Sequence, residues 1–137
     1  MDQQDPSLVA ETAALKAAYE ALNRNDVPGF LQIFDHQVER VEPPGLPGSI
    51  TFHGIEAFAA HVYPQRAKWA EGTCEPRRFV VMGDHIVVFA HVNVRLENET
   101  EWRVGDVADV FTFRAGRAIQ YRTFVDSMQA LAWAGAN

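Results

Sequence analysis

Cysteine is almost missing from this chain of 137 residues. Cys74 stands alone, so no internal disulfide can form, and its neighbours Thr73 and Glu75 offer neither a CxxC partner nor an adjacent base. Basic residues are the minority, 12 against 18 acidic ones, and they are scattered. A net charge of −6 without a basic patch excludes nucleic acid from the expected partners. No apolar run approaches the roughly 20 residues that a membrane span requires. The start, Met1-Asp2-Gln3-Gln4-Asp5, is acidic and polar where a targeting leader would be basic and apolar. No membrane partner is expected, and a cytoplasmic location is the default. The five histidines, His36, His53, His61, His85 and His91, show no HExxH or similar spacing, and the GxSxG elbow and phosphate-binding glycine loop are lacking. The sequence therefore implies neither a metal nor a cofactor.

What is present is an ordinary globular balance, 47% hydrophobic and 22% charged. The length fits one domain spanning residues 1–137, large enough to enclose a core and a small pocket. Leu8, Thr12, Leu15, Tyr19 and Leu22 recur at intervals of three and four, the stripe of an amphipathic helix that ends at Asn23-Arg24-Asn25. Asp26 is an N-cap for a shorter helix with Pro28 in its first turn and Phe30, Leu31 and Phe34 facing inward. A short strand is expected over Val38–Glu42, then a loop over Pro43-Pro44-Gly45-Leu46-Pro47-Gly48. Ile50–His53 reads as another short strand. Gly54 then opens a third helix that Pro64 breaks or restarts on the way to Trp69.

From Glu75 onward the pattern turns to strands: Phe79–Met82, a Gly83-Asp84 turn, and a long strand from Ile86 to about Leu96 whose even positions are all apolar and whose odd positions are mixed. Two further strands close a four-stranded antiparallel meander, so the fold class is α+β. The last hairpin carries the most informative feature. Val107, Asp109, Phe111 and Phe113 share one strand face, apolar apart from a single acid that is costly to bury in ionised form. Such a carboxyl group is either protonated or partnered, and groups of that kind mark catalytic cavities as well as structural ion pairs.

This order of elements resembles the ketosteroid-isomerase and SnoaL-like branch of the nuclear-transport-factor-2-like (NTF2-like) superfamily. The matching pieces are Ala21-Leu22-Asn23-Arg24-Asn25-Asp26, Phe34, Phe52-His53-Gly54-Ile55 and the Gly116 hairpin ending at Asp126. The resemblance implies a cone, with three N-terminal helices packed in the concave face of a curved, mainly antiparallel sheet around a pocket. It also implies roles. The isomerases' general base falls eight residues after the phenylalanine that ends the second helix, which from Phe34 gives Glu42, before Pro43. Their second carboxyl group lies in an acid-x-Phe-x-Phe pattern, matched by Asp109-Val110-Phe111-Thr112-Phe113. Glu42 would take a proton next to a carbonyl, and a protonated Asp109 would donate to the enolate oxygen, the arrangement for which ketosteroid isomerase is the reference case. The family's donor tyrosine falls at Ala18, with Tyr19 one residue, about 100°, out of register. Arg40 shares the strand face of Glu42 and would weaken it as a base.

The catalytic candidates are therefore Glu42, Asp109 and Asp126, the last matching an acid proposed in SnoaL-like cyclases but equally placed to cap a C-terminal helix. Asp109 could instead be a structural acid, and Glu42 a solvated one. The ligand-binding candidates are Tyr19, Phe58, His61, Trp69, His91, Trp102, Phe111 and Tyr121, with ordinary core packing as the alternative for the aromatics. Two functions stay open. One is a cofactor-free enzyme that enolises a small hydrophobic carbonyl compound, steroid-like or polyketide-like; the other is a non-catalytic ligand-binding or dimerisation module. A homodimer through the outer sheet face is expected, because helices are expected to cover one face only.

Overall fold

Capping chemistry sets the N-terminal joints. In the computed structural model, which describes residues 8–43 and 50–137, α1 (Val9–Asn23) buries Leu15, Ala18, Tyr19 and Ala21. Asp26 then caps α2 (Val27–Leu31): its Oδ1 accepts the Gly29 amide at 3.0 Å, satisfying a donor that the first helical turn leaves open. Only five residues long, α2 is little more than one turn. Strands β1 (Phe34–Val41) and β2 (Thr51–His53) separate it from α3 (Ile55–Ala67), so the N-terminal helices are shorter and less continuous than the resemblance implies. Residues 44–48 of the expected Pro/Gly loop lie outside the described residues.

Pro64 does not break α3, which runs through it to Ala67. A proline inside a helix forfeits one backbone bond to the residue four before it, here Ala60, and packing of Phe58 and Val62 against the core outweighs that loss. The chain then enters β3 (Trp69–Met82) at once, ten residues earlier than Phe79. Gly72 and Pro76 disguise this strand in the sequence. Gly72 sits at φ 111°, and a Cβ there would fall 2.1 Å from the Asn93 carbonyl oxygen, so only glycine fits. Pro76 is tolerated because β3 is an edge strand with a register shift beside it.

Strands β4 (His85–Leu96), β5 (Arg103–Arg114) and β6 (Arg117–Phe124) complete the expected meander. The sheet order is β2-β1-β6-β5-β4-β3, antiparallel throughout except that β1 runs parallel to β6. Register shifts interrupt the β1–β6, β3–β4 and β5–β6 ladders, and such bulges bend a sheet.

Alternation divides the sheet into two faces. Ile86, Val88, Ala90, Phe111 and Phe113 join residues of α1, α2 and α3 in the main core. Val87, Ala108 and Val110 point the other way and pack against Ala130 and Ala134 of a fourth helix, α4 (Ser127–Ala136). The premise that helices cover one face only is therefore corrected: α4 covers part of the outer face. No described helix is long and apolar enough to cross a membrane.

Candidate active site

Helical and strand periodicity converge on one cavity of about 240 Å³. Along α3, Phe58, His61, Val62, Gln65 and Arg66 follow the spacing of one helical stripe, and all five line it. Arg40 and Glu42 lie two residues apart at the end of β1, so both side chains reach the same space. Tyr121 enters from β6, where it pairs with Arg40 across the parallel ladder, and Leu22, Phe30 and Trp69 close the walls.

Glu42 and His61 form the one carboxylate–imidazole pair among the residues lining this cavity. His61 Nε2 lies 2.8 Å from Glu42 Oε2, and the side chains are 24% and 19% exposed, sheltered yet open to a ligand. Phe52 stacks on the imidazole at 4.3 Å between ring centres and fixes its plane. Arg40 lays its guanidinium over the Tyr121 ring, 3.8 Å from the centroid, and Tyr121 in turn stacks on Phe111 at 4.5 Å. Arg66 donates from Nε and Nη2 to the Leu22 and Asn23 carbonyls at 2.7 and 3.1 Å, satisfying the C-terminal end of α1, while its guanidinium lies over Trp69.

Asp109 lies behind this wall and is not among the residues lining the cavity. It is 3% exposed on the inner face, as the alternation of β5 requires. The Tyr19 hydroxyl donates to Oδ2 at 2.5 Å and the Thr123 hydroxyl to Oδ1 at 2.6 Å. Thr123 Oγ1 in turn accepts from Arg40 Nη1 at 2.8 Å. Burial pushes the Asp109 carboxyl above its ordinary range, opposed by the Arg40 charge and by the bonds from Thr123 and Tyr19. Burial, and then the Asp109 charge, raise both the Tyr19 and Tyr121 phenols, so neither ionises near neutral pH. The Cys74 thiol is pushed up to about 12, first by burial, and is inert as a nucleophile.

Of the residues singled out from sequence, Glu42, Phe58, His61, Trp69 and Tyr121 meet in the cavity. Tyr19, Asp109 and Phe111 form a buried layer behind it; despite its offset, Tyr19 reaches Asp109. Three candidates lie elsewhere. Asp126 is exposed and caps α4, its Oδ1 accepting the Gln129 amide at 3.0 Å. His91 shares the outer face with Val87 and Phe89 and pairs with Asp106 at 2.8 Å, since an odd position of β4 cannot face the core. Trp102 is exposed in the β4–β5 connection. Leu22, Phe30, Val62, Gln65 and Arg66 were not singled out, and Arg40 was read only as a neighbour of Glu42. The α3 stripe was the available signal for the residues of that helix. Among the described residues no three His, Cys, Asp or Glu side chains converge to hold a metal ion.

A bent, mainly antiparallel sheet holding short helices against one face, with a cavity where they meet, defines the NTF2-like class. The chain belongs to the SnoaL-like domain family, whose sequence model matches residues 15–121. A comparison with curated protein sequences finds no match. Among solved structures, the chain is similar to TerC co-crystallised with polyporic acid, at 24% identity and a TM-score of 0.73 over 90% of this chain and 96% of that one. It is also similar to a putative SnoaL-like polyketide cyclase from Jannaschia sp. CCS1, at 14% identity, TM-score 0.72, covering 100% and 99% of the two chains. A hypothetical protein of ketosteroid-isomerase-like fold from Catenulispora acidiphila, in complex with trimethylamine, matches at 16% identity and TM-score 0.67 over 96% and 95%.

Proposed function

We propose that this protein is a cofactor-free enzyme that enolises a small hydrophobic carbonyl compound, with Glu42 as the base and His61 as its proton-sharing partner. The observation that carries this reading is the 2.8 Å Glu42–His61 contact inside the cavity. A carboxylate there removes a proton from the carbon next to a carbonyl, and the imidazole holds the carboxylate in place and relays the proton back to another atom of the substrate. The oxyanion role that the resemblance gives to Asp109 passes to Arg40, which lines the cavity and presents a fixed positive charge to a developing enolate. Asp109 becomes a positioning residue, holding Thr123, which holds Arg40. Isomerisation, aldol cyclisation and dehydration all proceed from such an enolate, and the SnoaL-like cyclase neighbour supports the polyketide-like branch.

The test is exchange of α-protons in deuterated water, followed by NMR on a panel of β,γ-unsaturated ketones and polyketide-like methyl esters. Glu42→Gln, which cannot accept a proton, should slow exchange by roughly 10²–10⁴-fold. Asp109→Asn, one shell removed, should cost less than the roughly 10²–10³-fold lost when an oxyanion donor is deleted outright. Wild-type exchange in Glu42→Gln eliminates Glu42 as the base. If no carbonyl compound exchanges at all, the cavity is a non-catalytic receptacle, the reading favoured by the seclusion of Asp109.

A further inference from the structure

We infer that the cavity takes a small organic anion, a carboxylate or enolate on one or two fused rings, with the anionic group gripped by Arg40. This rests on reading the cavity as the reaction site and adds what the substrate carries. Of the four ionisable side chains lining the cavity that titrate or carry charge at polar heads other than phenol, two are guanidinium groups, Arg40 and Arg66, and one is a carboxylate. That carboxylate, Glu42, is engaged by the fourth, His61, and no ion pair joins it to either arginine among the described residues. Among the described residues, the cavity of this acidic protein is thus lined by more basic than acidic groups.

The two arginines are not equivalent. Arg66 spends Nε and Nη2 on the α1 carbonyls, so its fork is committed to the fold. Arg40 makes all its hydrogen bonds, to the Val41 and Tyr121 carbonyls and to Thr123 Oγ1, through Nη1. Its Nε–Nη2 edge bonds to no described residue, and that edge is one of the two by which a guanidinium grips a carboxylate bidentately. Stacking on Tyr121 and the tether to Thr123 hold the group in one orientation before any ligand arrives, which lowers the entropy lost on binding. Asp109 reaches Arg40 only through Thr123 and leaves the open edge unoccupied.

The walls set the size. An apolar cavity of about 150 Å³ holds one benzene ring, so about 240 Å³ leaves room for a second fused ring between Trp69, Phe58, Val62 and Leu22 but not for four. The part of the ligand held inside the cavity is therefore one or two rings in size.

Calorimetric titration with 2-naphthoate and its neutral isostere 2-naphthamide tests this on the wild-type protein. Naphthoate should bind about tenfold or more tightly than the amide, a difference of about 1.4 kcal/mol. Raising salt from about 0.05 M to about 0.5 M should weaken the acid and not the amide. Arg40→Gln should bring the acid down to the level of the amide, and Arg40→Lys, which keeps charge but loses the fork, should fall between. Equal affinity for acid and amide, no binding of naphthoate at millimolar concentration, or full acid affinity in a folded Arg40→Gln would each overturn the inference. Should Arg40→Gln fail to fold, the wild-type ratio and its salt dependence decide. Glu42→Gln removes a negative charge from the cavity wall and should bind the acid at least as tightly as wild type. If it also retains proton exchange, the enolisation reading falls while the anion site stands; acid binding independent of Arg40, alongside Glu42-dependent exchange, gives the reverse.

Discussion

Asp109 shows how much a single residue discloses. Alternation along β5 alone marked it as an acid on an apolar face, and it is buried there. Its partners were not legible, because Tyr19 lies 90 residues away and Thr123 lies 14 away across a hairpin whose register contains a shift. Nor was its distance from the cavity, which depends on Tyr121 and Arg40 standing in front. Burial raises the Asp109 carboxyl in the folded state, so between the ordinary aspartate range, about 4, and that raised value the native state binds the extra proton. Stability contributed by this group is complete below the unfolded value and is lost as pH rises through the folded one. Urea midpoints of wild type and Asp109→Asn, compared stepwise upward from about pH 4, should therefore shift in favour of the asparagine variant as pH rises. A difference that is flat or runs the other way would show that the bonds from Tyr19, Thr123 and the Arg40 charge outweigh burial.

At the scale of the element, caps were readable and interruptions were not. Asp26 and Asp126 each accept an amide three residues on, at 3.0 Å, as short polar side chains ahead of a helix do. Asp126→Ala should cost about 1 kcal/mol in chemical denaturation, within the usual 0.5–2 range for a lost cap. Proton exchange should be untouched, because Asp126 lies outside the cavity; loss of exchange in a folded Asp126→Ala would restore it as a catalytic candidate. Pro64 and Gly72 misled for opposite reasons. Local chemistry says that proline stops a helix, yet tertiary packing of α3 carries it through. Local chemistry says that glycine ends a strand, yet at Gly72 the close approach of Asn93 demands it within one. In both cases the deciding atoms belong to another part of the chain.

Taken whole, the molecule presents two unlike surfaces. The inner one is packed by α1, α2 and α3 apart from the cavity. The outer one is covered by α4 over Val87, Ala108 and Val110, with Trp133 lying against His85 and Phe124, while Val104 and Val125 stay at 62% exposure and Met128 at 72%. Pairing of two copies through that remainder is the expected outcome, in place of the fully bare face that the sequence suggested. Sedimentation velocity at micromolar concentration checks it, and a Val104→Glu change should shift the protein toward monomer. A strictly monomeric wild type would count against the pairing.

The parallel contact between β1 and β6 has a temporal consequence. Every other ladder joins strands adjacent in the chain, but this one brings residues 34–41 to 118–122. Closing so long a loop is entropically slow, and contacts of such separation form late. Arg40 finds Thr123 and Tyr121 only through that closure. During synthesis β1 must therefore wait for its inner neighbour until β6 has emerged, and the side of the cavity formed by Arg40 and Tyr121 comes into being late in folding.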